Sequence, residues 1–476
     1  MLFDLNQAQR LEILHQTIEK LEDYYEHTDS RKVSPKLEVD EILRSIKKET
    51  FTAAKAPQAA VEHVIHALDT YSVHTPHPDY FGLFNPRANF SGILADLITA
   101  VFNPQLAAWS HAPFAVEVEN HLVQALGKKF GLKKEDMDGV FTTGGAEANL
   151  TAVLCALNEH FPDFANEGLV GQIPRPLIYC SQESHHSIIK AARAVGLGRN
   201  SVRTVGVDDH LQMDTQQLIK QIKEDQQKGS RPFLLIATAG TTGTGVIDRL
   251  HELHSVARDF NLWFHVDAAY GGGAILSQNL SHLLSGIEKA DSITFDAHKW
   301  MSVPMGTSLF LTSHKEILAK TFRVSTEYMP KEANELEIVD PFTHSIQWSR
   351  RFAGLKLYLS LLIFGWEGYE QMINHQSRMG HLFRELLVEN GWKIMNPSSL
   401  PVICFTDKEL RKYPSFVSWI CSNVVESGKA WISTYPVKEE NTIRACITNY
   451  ASDERNIRNL VQLLGEKREV FRSLGI

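Results

Sequence analysis

The spacing of apolar residues divides the chain into three parts. Over residues 5–27 and again over 38–48, apolar positions recur every three or four residues, which is typical of amphipathic helices. Neither segment is followed by a strand-like run. We therefore predict a helical N-terminal arm over residues 1–85, whose apolar stripe packs either against its own domain or against a second subunit.

The middle part alternates between short apolar runs and longer helical patterns. Strands are predicted over 138–142, 176–180, 202–206, 232–238, 262–266, 292–296 and 306–311. Helices are predicted over 91–101, 115–130, 146–160, 187–196, 214–227 and 248–260. This alternation predicts a mostly parallel sheet covered on both faces, so residues 86–375 should form an α/β domain. The last run follows its predecessor too closely for a helical crossover and is expected to pair antiparallel.

The C-terminal part has a different order of elements. An apolar-rich stretch over 345–365 predicts a long helix that leads into a second domain over residues 376–476. In that domain, helices are predicted over 376–390, 414–427 and 453–470, and strands over 401–406, 430–434 and 442–447. This mixture predicts a small α+β domain.

Composition narrows the class of protein. The chain has 476 residues, of which 43% are hydrophobic and 22% charged, values that are ordinary for a globular protein. A net charge of −8 and the lack of a dense basic block argue against nucleic-acid binding. Nothing resembles a signal peptide, and no run of about 18 apolar residues would span a membrane. Five scattered cysteines without a CxxC pattern predict free thiols, so we expect a cytoplasmic protein without disulfides or a metal site.

Two polar residues at predicted strand ends give the first indication of chemistry. Asp267 ends one apolar run, and Lys299 follows the run over 292–296, with His298 and Trp300 beside it. A lysine whose stem lies among apolar neighbours can act as an amine nucleophile. Such a pair suits pyridoxal phosphate (PLP), because the Lys can hold the aldehyde as a Schiff base and the Asp can keep the pyridine nitrogen protonated.

Three other loops also follow predicted strands. Gly145 and Ala146 open a helix, where backbone N–H groups can bind one phosphate, although a tight turn without a ligand has the same pattern. His185 could stack on an aromatic cofactor ring; with His186 it could also form a metal pair, but no third ligand stands at a recognisable spacing. Thr242 is expected near the polar edge of the cofactor. Because the carboxyl ends of parallel strands meet at one edge of a sheet, these loops should converge with the Asp–Lys pair on one crevice.

Two motifs are specific enough to indicate a family. Residues 265–273 read HVDAAYGGG, and residues 296–300 read DAHKW. With these motifs the chain resembles the group II PLP-dependent amino-acid decarboxylases, which include aromatic-L-amino-acid, glutamate and 2,4-diaminobutyrate decarboxylases. The resemblance runs from about residue 76 to the C-terminus. It implies the fold type I architecture of PLP-dependent transferases, PLP as the cofactor, and release of CO₂ from an L-amino acid.

The resemblance also implies roles for individual residues. Lys299 would carry the cofactor and Asp267 would pair with its ring nitrogen, while His185 and Ala269 would lie on the two faces of the ring. The cofactor-binding set that it implies is Gly145, Ala146, His185, Thr242, Asp267, Ala269, His298 and Lys299. Tyr328, in a stretch rich in Glu and Lys, would act from a mobile lid and complete the catalytic set with Lys299 and His185.

The resemblance extends to substrate and subunit contacts. Phe81, Asn85 and Arg350 are the candidate substrate contacts; the aromatic residues of the loop over 77–87 suit an aromatic side chain, whereas Asn85 and Arg87 suit an acidic one. The helical arm corresponds to the family's dimer-forming segment, with an active site shared between two subunits of a homodimer. Asp296 departs from the family, since several relatives carry Asn near the phosphate at that position, and it is given no role.

Two alternatives remain open at this stage. Another fold type I PLP enzyme, such as an aldehyde synthase, an aminotransferase or a lyase, would use the same Asp and Lys. A catalytically silent dimeric scaffold would turn over no amino acid. The combination of HHS, DAHKW and the lid tyrosine favours decarboxylation. The sequence leaves the substrate open among aromatic, acidic and diamino L-amino acids.

Overall fold

The computed structural model describes residues 4–85, 87–169, 174–324 and 339–474. Two compact units make up the chain. The larger unit comprises Phe84–Gly380 and Met395–Ile403. The smaller unit comprises Met1–Leu83, His381–Ile394 and Cys404–Ile476, so that it joins the N-terminal arm to most of the C-terminal region.

The larger unit is built on a seven-stranded sheet. Its strands are β1 (Asp138–Thr142), β2 (Pro176–Ser181), β3 (Val202–Val205), β4 (Arg231–Thr238), β5 (Trp263–Asp267), β6 (Ser292–Asp296) and β7 (Ser308–Thr312). They lie in the order β1-β7-β6-β5-β4-β2-β3, and the neighbours from β6 to β3 are parallel. β7 pairs antiparallel with both β1 and β6, as predicted from its short connection. The predicted fold class, a mostly parallel α/β sheet with a small second sheet elsewhere in the chain, is confirmed.

Helices accompany this sheet. They are α4 (Phe90–Phe102), α5 (Pro113–Lys129), α6 (Gly145–His160), α7 (Phe164–Glu167), α8 (Ser187–Ala194), α9 (Thr215–Gln227), α10 (Leu250–Asp259), α11 (Ala297–Trp300) and α12 (Ile317–Phe322). α6 is the helix most relevant to the site. Its Ala148, Ala152 and Ala156, spaced four residues apart, are fully buried and belong to the main hydrophobic core. Small residues allow α6 to approach the sheet closely, which fixes its N-terminus beside the strand ends.

The long helix α13 (Gly354–Glu389) begins later than predicted. A helix over 345–365 was expected, but residues 345–353 are not helical. Side chains accept from backbone donors of this segment instead: Arg350 N donates to Gln105 Oε1 at 3.2 Å and Gln347 N donates to Ser345 Oγ at 3.0 Å. Gly354 N, at the start of the helix, donates to Glu119 Oε1 at 3.0 Å. The helix continues to Glu389 through a break at Gly365, whose φ of 60° lies in the left-handed region that glycine tolerates.

The smaller unit contains the arm and a four-stranded sheet. The arm helices are α1 (Gln7–Glu26), α2 (Val39–Lys47) and α3 (Pro57–Tyr71). The sheet has the order β10-β11-β9-β8 and consists of β8 (Trp392–Ile394), β9 (Val402–Asp407), β10 (Ser433–Val437) and β11 (Glu440–Cys446). Two helices complete it, α14 (Phe416–Glu426) and α15 (Glu454–Ser473). α3 and β8 were not predicted, although Pro57 at the first helical position is a typical start signal.

No helix in the described part of the chain is both long enough and apolar enough to cross a membrane.

Candidate active site

Adjacent parallel strands bring Asp267 and Lys299 to one edge of the sheet. Asp267 is the last residue of β5, and Lys299 lies in the short helix α11, which follows β6 directly. β5 and β6 are parallel neighbours, with Asp267 opposite Thr294 in the register. The carboxyl ends of the two strands therefore present the carboxylate and the amine at the same side of the sheet.

The carboxylate of Asp267 is held by two donors. Asn149 Nδ2 donates to Oδ2 at 2.9 Å, and the Ala269 backbone N–H donates to Oδ1 at 3.2 Å. Asp267 is only 6% exposed. A buried carboxylate that accepts two hydrogen bonds is fixed in orientation, and each oxygen retains a lone pair for a further donor.

A second set of contacts holds Asn149 itself. Its Oδ1 accepts from Thr294 Oγ1 at 2.8 Å and lies 3.1 Å from His265 Nε2. His265 is fully buried, and this burial lowers its pKa to about 4, so that the ring is neutral at ordinary pH. Its other nitrogen lies 2.8 Å from Ser292 Oγ. The contacts with Thr294 and His265 thus fix the orientation of the Asn149 amide.

The same amide reaches His185 through a serine. Asn149 Nδ2 also donates to Ser187 Oγ at 2.9 Å, and that oxygen lies 2.9 Å from His185 Nδ1. Because the hydroxyl accepts from Asn149, it has its own proton to donate to Nδ1, which assigns the ring proton of neutral His185 to Nε2. Partial burial lowers the pKa of His185, and the nearby Asp267 opposes that shift.

Lys299 sits between a carboxylate and an aromatic surface. Its Nζ lies 3.0 Å from Asp296 Oδ2 and 5.9 Å from the centre of the Phe84 ring. Phe84 stacks on Tyr270 with a centroid distance of 3.9 Å, and Tyr270 in turn stacks on Trp300 at 5.1 Å. The lysine amine therefore lies next to a carboxylate and within 6 Å of an aromatic ring that belongs to a stack of three.

The N-terminus of α6 lies beside this pair. A Cβ added at Gly145 would come within 3.0 Å of Asp296 Oδ2 and 3.4 Å of Ala269 Cβ. The first helix bonds are made by Glu147 N and Ala148 N to the Gly144 carbonyl, so the N–H groups of Gly145 and Ala146 have no acceptor within the helix. A Cβ at Gly144 would meet nothing within 4 Å. Two backbone donors without a helical acceptor, next to a glycine with open space around its Cβ position, fit a phosphate group.

Three further predicted cofactor residues occupy different surroundings. Ala269 is buried and follows Asp267 by two residues, whereas Thr242 is exposed in the turn after β4. His298 is buried with Nδ1 3.0 Å from the Thr307 carbonyl oxygen, and this burial lowers its pKa. The Thr307 backbone N also lies 3.3 Å from Nδ1, so the Thr307 backbone fixes the position of the ring.

The predicted substrate contacts are only partly supported by the geometry. Asn85 is half-buried and next to Phe84. Phe81, however, is a fully buried residue of the smaller unit, and its backbone bonds to Trp431 and Cys446. With no exposed surface, the Phe81 side chain presents nothing to a ligand in this structure.

Arg350 has structural partners instead of an open approach to substrate. Its Nη1 donates to the Phe141 carbonyl at 2.9 Å, and its Nη2 pairs with the buried Glu119 carboxylate. These two contacts hold the guanidinium against the Phe141 carbonyl and the Glu119 carboxylate. Its expected place within the long helix is also wrong, because the helix begins only at Gly354. Tyr328 lies outside the described residues.

Sequence reasoning missed the polar residues that support Asp267. Asn149 lies four residues after Gly145, one turn along α6, and therefore points to the same side of the helix as the phosphate-binding end. That spacing was a usable signal. Ser187 and Thr294 had no comparable signal, since a serine or threonine near a strand end is common in any fold.

A hydrogen-bonded Asp and a Lys lie at the ends of neighbouring strands, beside a helix N-terminus suited to phosphate. This arrangement is typical of PLP-dependent enzymes. The sequence matches the pyridoxal-dependent decarboxylase conserved domain over residues 41–408. The chain belongs to the pyridoxal-dependent decarboxylase family, whose members are carboxy-lyases that use PLP.

Individual relatives agree with this assignment. An aromatic-L-amino-acid decarboxylase of Bacillus atrophaeus is 29% identical over 448 residues, which cover 91% of this chain and 90% of that protein. An acidic amino acid decarboxylase of Mus musculus is 31% identical over 363 residues, covering 75% of this chain but only 65% of that protein. Among solved structures, mouse CSAD in apo form superimposes with a TM-score of 0.90 at 26% identity, over 97% of this chain and 99% of that one.

Proposed function

We propose that this protein removes the α-carboxylate of an aromatic L-amino acid as CO₂ and releases the corresponding amine. The observation that carries the reaction is the pair of Asp267, held by two donors, and Lys299 at adjacent strand ends. The aromatic preference is supported by the Phe84 ring, which lies 5.9 Å from Lys299 Nζ, and by the similarity to the Bacillus atrophaeus relative.

Each residue of the site would have a separate role in the reaction. Bound PLP supplies an electron sink for the bond that breaks. Lys299 would bind the cofactor covalently until the substrate amine displaces it. Asp267, oriented by Asn149 and the Ala269 N–H, would keep the ring nitrogen protonated. The N–H groups of Gly145 and Ala146 would bind the phosphate.

Other residues would orient the ring and complete the proton transfer. His185 and Ala269 would lie on its two faces, and Thr242 and His298 would contact its polar groups. We assign the proton that replaces the lost carboxylate to the hydroxyl of Tyr328, acting from a lid. This assignment rests on the family resemblance alone, because Tyr328 lies outside the described residues.

An acidic amino acid is the second candidate substrate. It is favoured by Asn85 and Arg87, which follow Phe84 closely in sequence, and by the similarity to the mouse acidic amino acid decarboxylase. A guanidinium can bind a side-chain carboxylate through two hydrogen bonds. Diamino acids are the third class to be tested.

A substrate panel scored by CO₂ tests this proposal. PLP-loaded enzyme is incubated separately with each of the twenty amino acids, diaminobutyrate and cysteine sulfinate. We expect the largest kcat/KM with an aromatic substrate and amine formation equal to CO₂ release. A preference for an acidic substrate would refute the aromatic assignment only. Keto-acid formation without CO₂ would indicate an aminotransferase, and no turnover of any compound would indicate a catalytically silent scaffold.

We also propose that the enzyme is a homodimer whose arm helices contribute to the subunit contact. Along α1, the apolar side chains of Leu11, Leu14, Ile18 and Leu21 are each about half exposed. An apolar stripe of this length on a monomer's surface is unusual and typical of an interface. The sharing of the active site between subunits is part of the same proposal and rests on the family resemblance.

A matched pair of charge substitutions on α1 tests the dimer. Ile18→Glu places a charge in the apolar stripe, whereas Gln16→Glu places the same charge on the opposite side of the helix. Analytical ultracentrifugation should show a dimer for the parent and for Gln16→Glu, and a weakened dimer for Ile18→Glu. A monomeric parent, or equal dimerisation of both variants, would refute the role of the stripe.

The proposed compartment is the cytoplasm. All five cysteines are free and buried, and burial raises the pKa of Cys155 to about 12. Unreactive buried thiols are typical of proteins in a reducing environment.

A further inference from the structure

The backbone turn in front of α6 is closed by a side chain of the helix itself. Glu147, in the first turn of α6, accepts two hydrogen bonds at Oε2, from Thr143 N at 3.0 Å and from Thr143 Oγ1 at 2.7 Å. It acts like the glutamate of a capping box, although here it reaches the residue before the N-cap. The contact fixes the backbone just before the N–H groups of Gly145 and Ala146.

Little packing holds this turn in place. Thr143 is exposed, and a Cβ at Gly144 would meet nothing within 4 Å among the described residues. Glycine also has the largest backbone freedom of any residue. The position of Thr143 and Gly144 therefore depends on hydrogen bonds, and two of these end on the Glu147 carboxylate.

Gln347 is the second partner of this carboxylate. Its Nε2 lies 2.7 Å from Glu147 Oε1 and 2.9 Å from Oε2, so that the amide spans both oxygens. Gln347 is itself anchored, since its backbone N donates to Ser345 Oγ at 3.0 Å. One amide–carboxylate contact thus joins the segment 345–353 to the turn before α6, across 200 positions of sequence.

The direction of the Glu147 carboxylate matters for the binding of an anion. A helix N-terminus attracts any negative group, and a carboxylate in the first turn can itself occupy that end. Bound to Thr143 and Gln347, this carboxylate leaves the N–H groups of Gly145 and Ala146 to a phosphate. Without Gln347 it would lose two of the four hydrogen bonds described above and could turn toward those N–H groups.

We propose that Glu147 and Gln347 are positioning residues for the cofactor phosphate. Gln347 holds the Glu147 carboxylate against Thr143, and Glu147 in turn holds the backbone that presents the two N–H groups. The inference rests on the proposed function of the Gly145 and Ala146 N–H groups as phosphate donors. It is independent of which amino acid is decarboxylated.

The test compares two ligands that differ only in the phosphate. Pyridoxamine phosphate and pyridoxamine both lack the aldehyde, so neither forms a covalent bond with a lysine. Each is titrated into cofactor-free protein, with binding followed by fluorescence, and the ratio of the two dissociation constants measures the contribution of the phosphate. Because both ligands meet the same preparation, a reduced folded fraction cancels in the ratio.

Gln347→Ala should lower the preference for the phosphorylated ligand. Removing a hydrogen-bond donor from a charged group changes an equilibrium constant by about tenfold or more, so we expect the parent ratio to fall by about tenfold. The fall should come from weaker binding of pyridoxamine phosphate, while the dissociation constant of pyridoxamine does not change. An unchanged ratio, or equal weakening of both ligands, would overturn the proposal.

An exchange of the two side chains tests the contact directly. Gln347→Glu alone opposes two carboxylates, and their repulsion should lower the ratio further than Gln347→Ala does. Combining it with Glu147→Gln keeps one carboxylate and one amide in contact, leaves the net charge of the protein unchanged and retains an acceptor for Thr143. The exchange should therefore restore most of the parent ratio. A ratio as low as that of Gln347→Glu alone would mean that the contact is not the cause, and the proposal would fail.

Gln105→Ala is the matched control. Gln105 is exposed and accepts from Arg350 N at 3.2 Å, so it anchors the segment 345–353 at a different point from the Glu147 contact. This variant should keep the parent ratio. A fall equal to that of Gln347→Ala would show that any loosening of the segment is sufficient, which would overturn the specific role of Gln347.

The parent ratio separates this inference from the proposed site. If the parent binds both ligands equally, the N–H groups of Gly145 and Ala146 do not hold the phosphate, and the positioning role falls with them. If the parent prefers the phosphorylated ligand and only the Gln347 variants fail to change the ratio, the site stands and the positioning role alone is refuted.

Discussion

Asn149 donates a hydrogen bond from Nδ2 to Asp267 Oδ2 at 2.9 Å. The same nitrogen donates to Ser187 Oγ, which is 2.9 Å from His185 Nδ1. One buried amide thus orients both the carboxylate proposed to face the ring nitrogen and the imidazole proposed to lie on the ring face. Both side chains are thus held in place by hydrogen bonds before any ligand binds, and such preorganisation favours tight binding.

Replacing Asn149 by Ala should weaken cofactor binding. The change leaves the buried Asp267 with one donor fewer, and losing a hydrogen bond to a charged group costs about 1.5–3 kcal/mol. We therefore expect an increase of about tenfold or more in the dissociation constant for PLP, measured by fluorescence titration of cofactor-free protein. Asn158→Ala is the matched control, because Asn158 is buried in the same helix and its Nδ2 donates to Leu154 O. Equal losses in both variants would mean that the effect is only structural.

The fully buried His265 should make folding sensitive to acid. Burial lowers its pKa to about 4, whereas in the unfolded chain it would be about 6.5. Between about pH 6.5 and 4, His265 is protonated in the unfolded chain but not in the folded one. The free energy of unfolding therefore falls as the pH drops through this range, and this contribution does not change above it. At about pH 5 this amounts to roughly 2 kcal/mol.

The variant His265→Gln should lose that part of the acid sensitivity. Urea unfolding at about pH 7.5 and pH 5 gives the change in unfolding free energy for parent and variant. A smaller change in the variant supports the account. An identical change in both proteins would show that His265 is not the titrating group.

The strand ends were predictable from sequence, while the contacts among them were not. Asp267 and Lys299 follow apolar runs, and the alternation of strands and helices already implied that parallel neighbours would bring them together. The pairing of Asp296 with Lys299 had no such signal. The pattern of apolar and polar positions does not give side-chain direction over one short turn, and only the geometry of α11 turns the two groups toward each other.

Arg350→Ala should reduce stability more than it affects substrate binding. Its partner Glu119 is 3% exposed, and removing one member of a buried ion pair costs about 3–5 kcal/mol. Arg351→Ala is the control: Arg351 is largely exposed and pairs with Asp96, so about 1 kcal/mol or less is expected. Urea unfolding and KM are measured for both. If Arg350→Ala kept the parent stability and raised KM instead, Arg350 would be a substrate contact after all.

Tyr328→Phe should redirect the product without stopping CO₂ release. If its hydroxyl normally supplies the proton to Cα, its loss leaves an electron-rich carbon that can react with O₂. The balanced outcome is amino acid, O₂ and water giving aldehyde, CO₂, ammonia and hydrogen peroxide. Oxygen consumption and aldehyde are measured alongside CO₂, with Tyr413→Phe as the matched control. Clean amine formation at the parent rate would contradict the role of Tyr328.

The departures from the predicted fold have local causes. Residues 345–353 are rich in apolar and helix-compatible side chains, yet Gln105 binds the backbone N–H of Arg350, and Glu119 binds the N–H of Gly354, where the helix begins. Such competition depends on residues more than 200 positions away in sequence. The ion pair of Arg350 with Glu119 was not predictable for the same reason, because sequence spacing does not identify a partner so far away in the chain.

The central claim is that Lys299 carries the cofactor. Its most direct test is to reduce the PLP-loaded enzyme with borohydride, which makes the lysine–cofactor bond permanent, and to locate the modified lysine by peptide mass spectrometry. The account predicts one phosphopyridoxyl group per chain, on Lys299. A modification on another lysine, or none on a protein that releases CO₂ from amino acids, would contradict it.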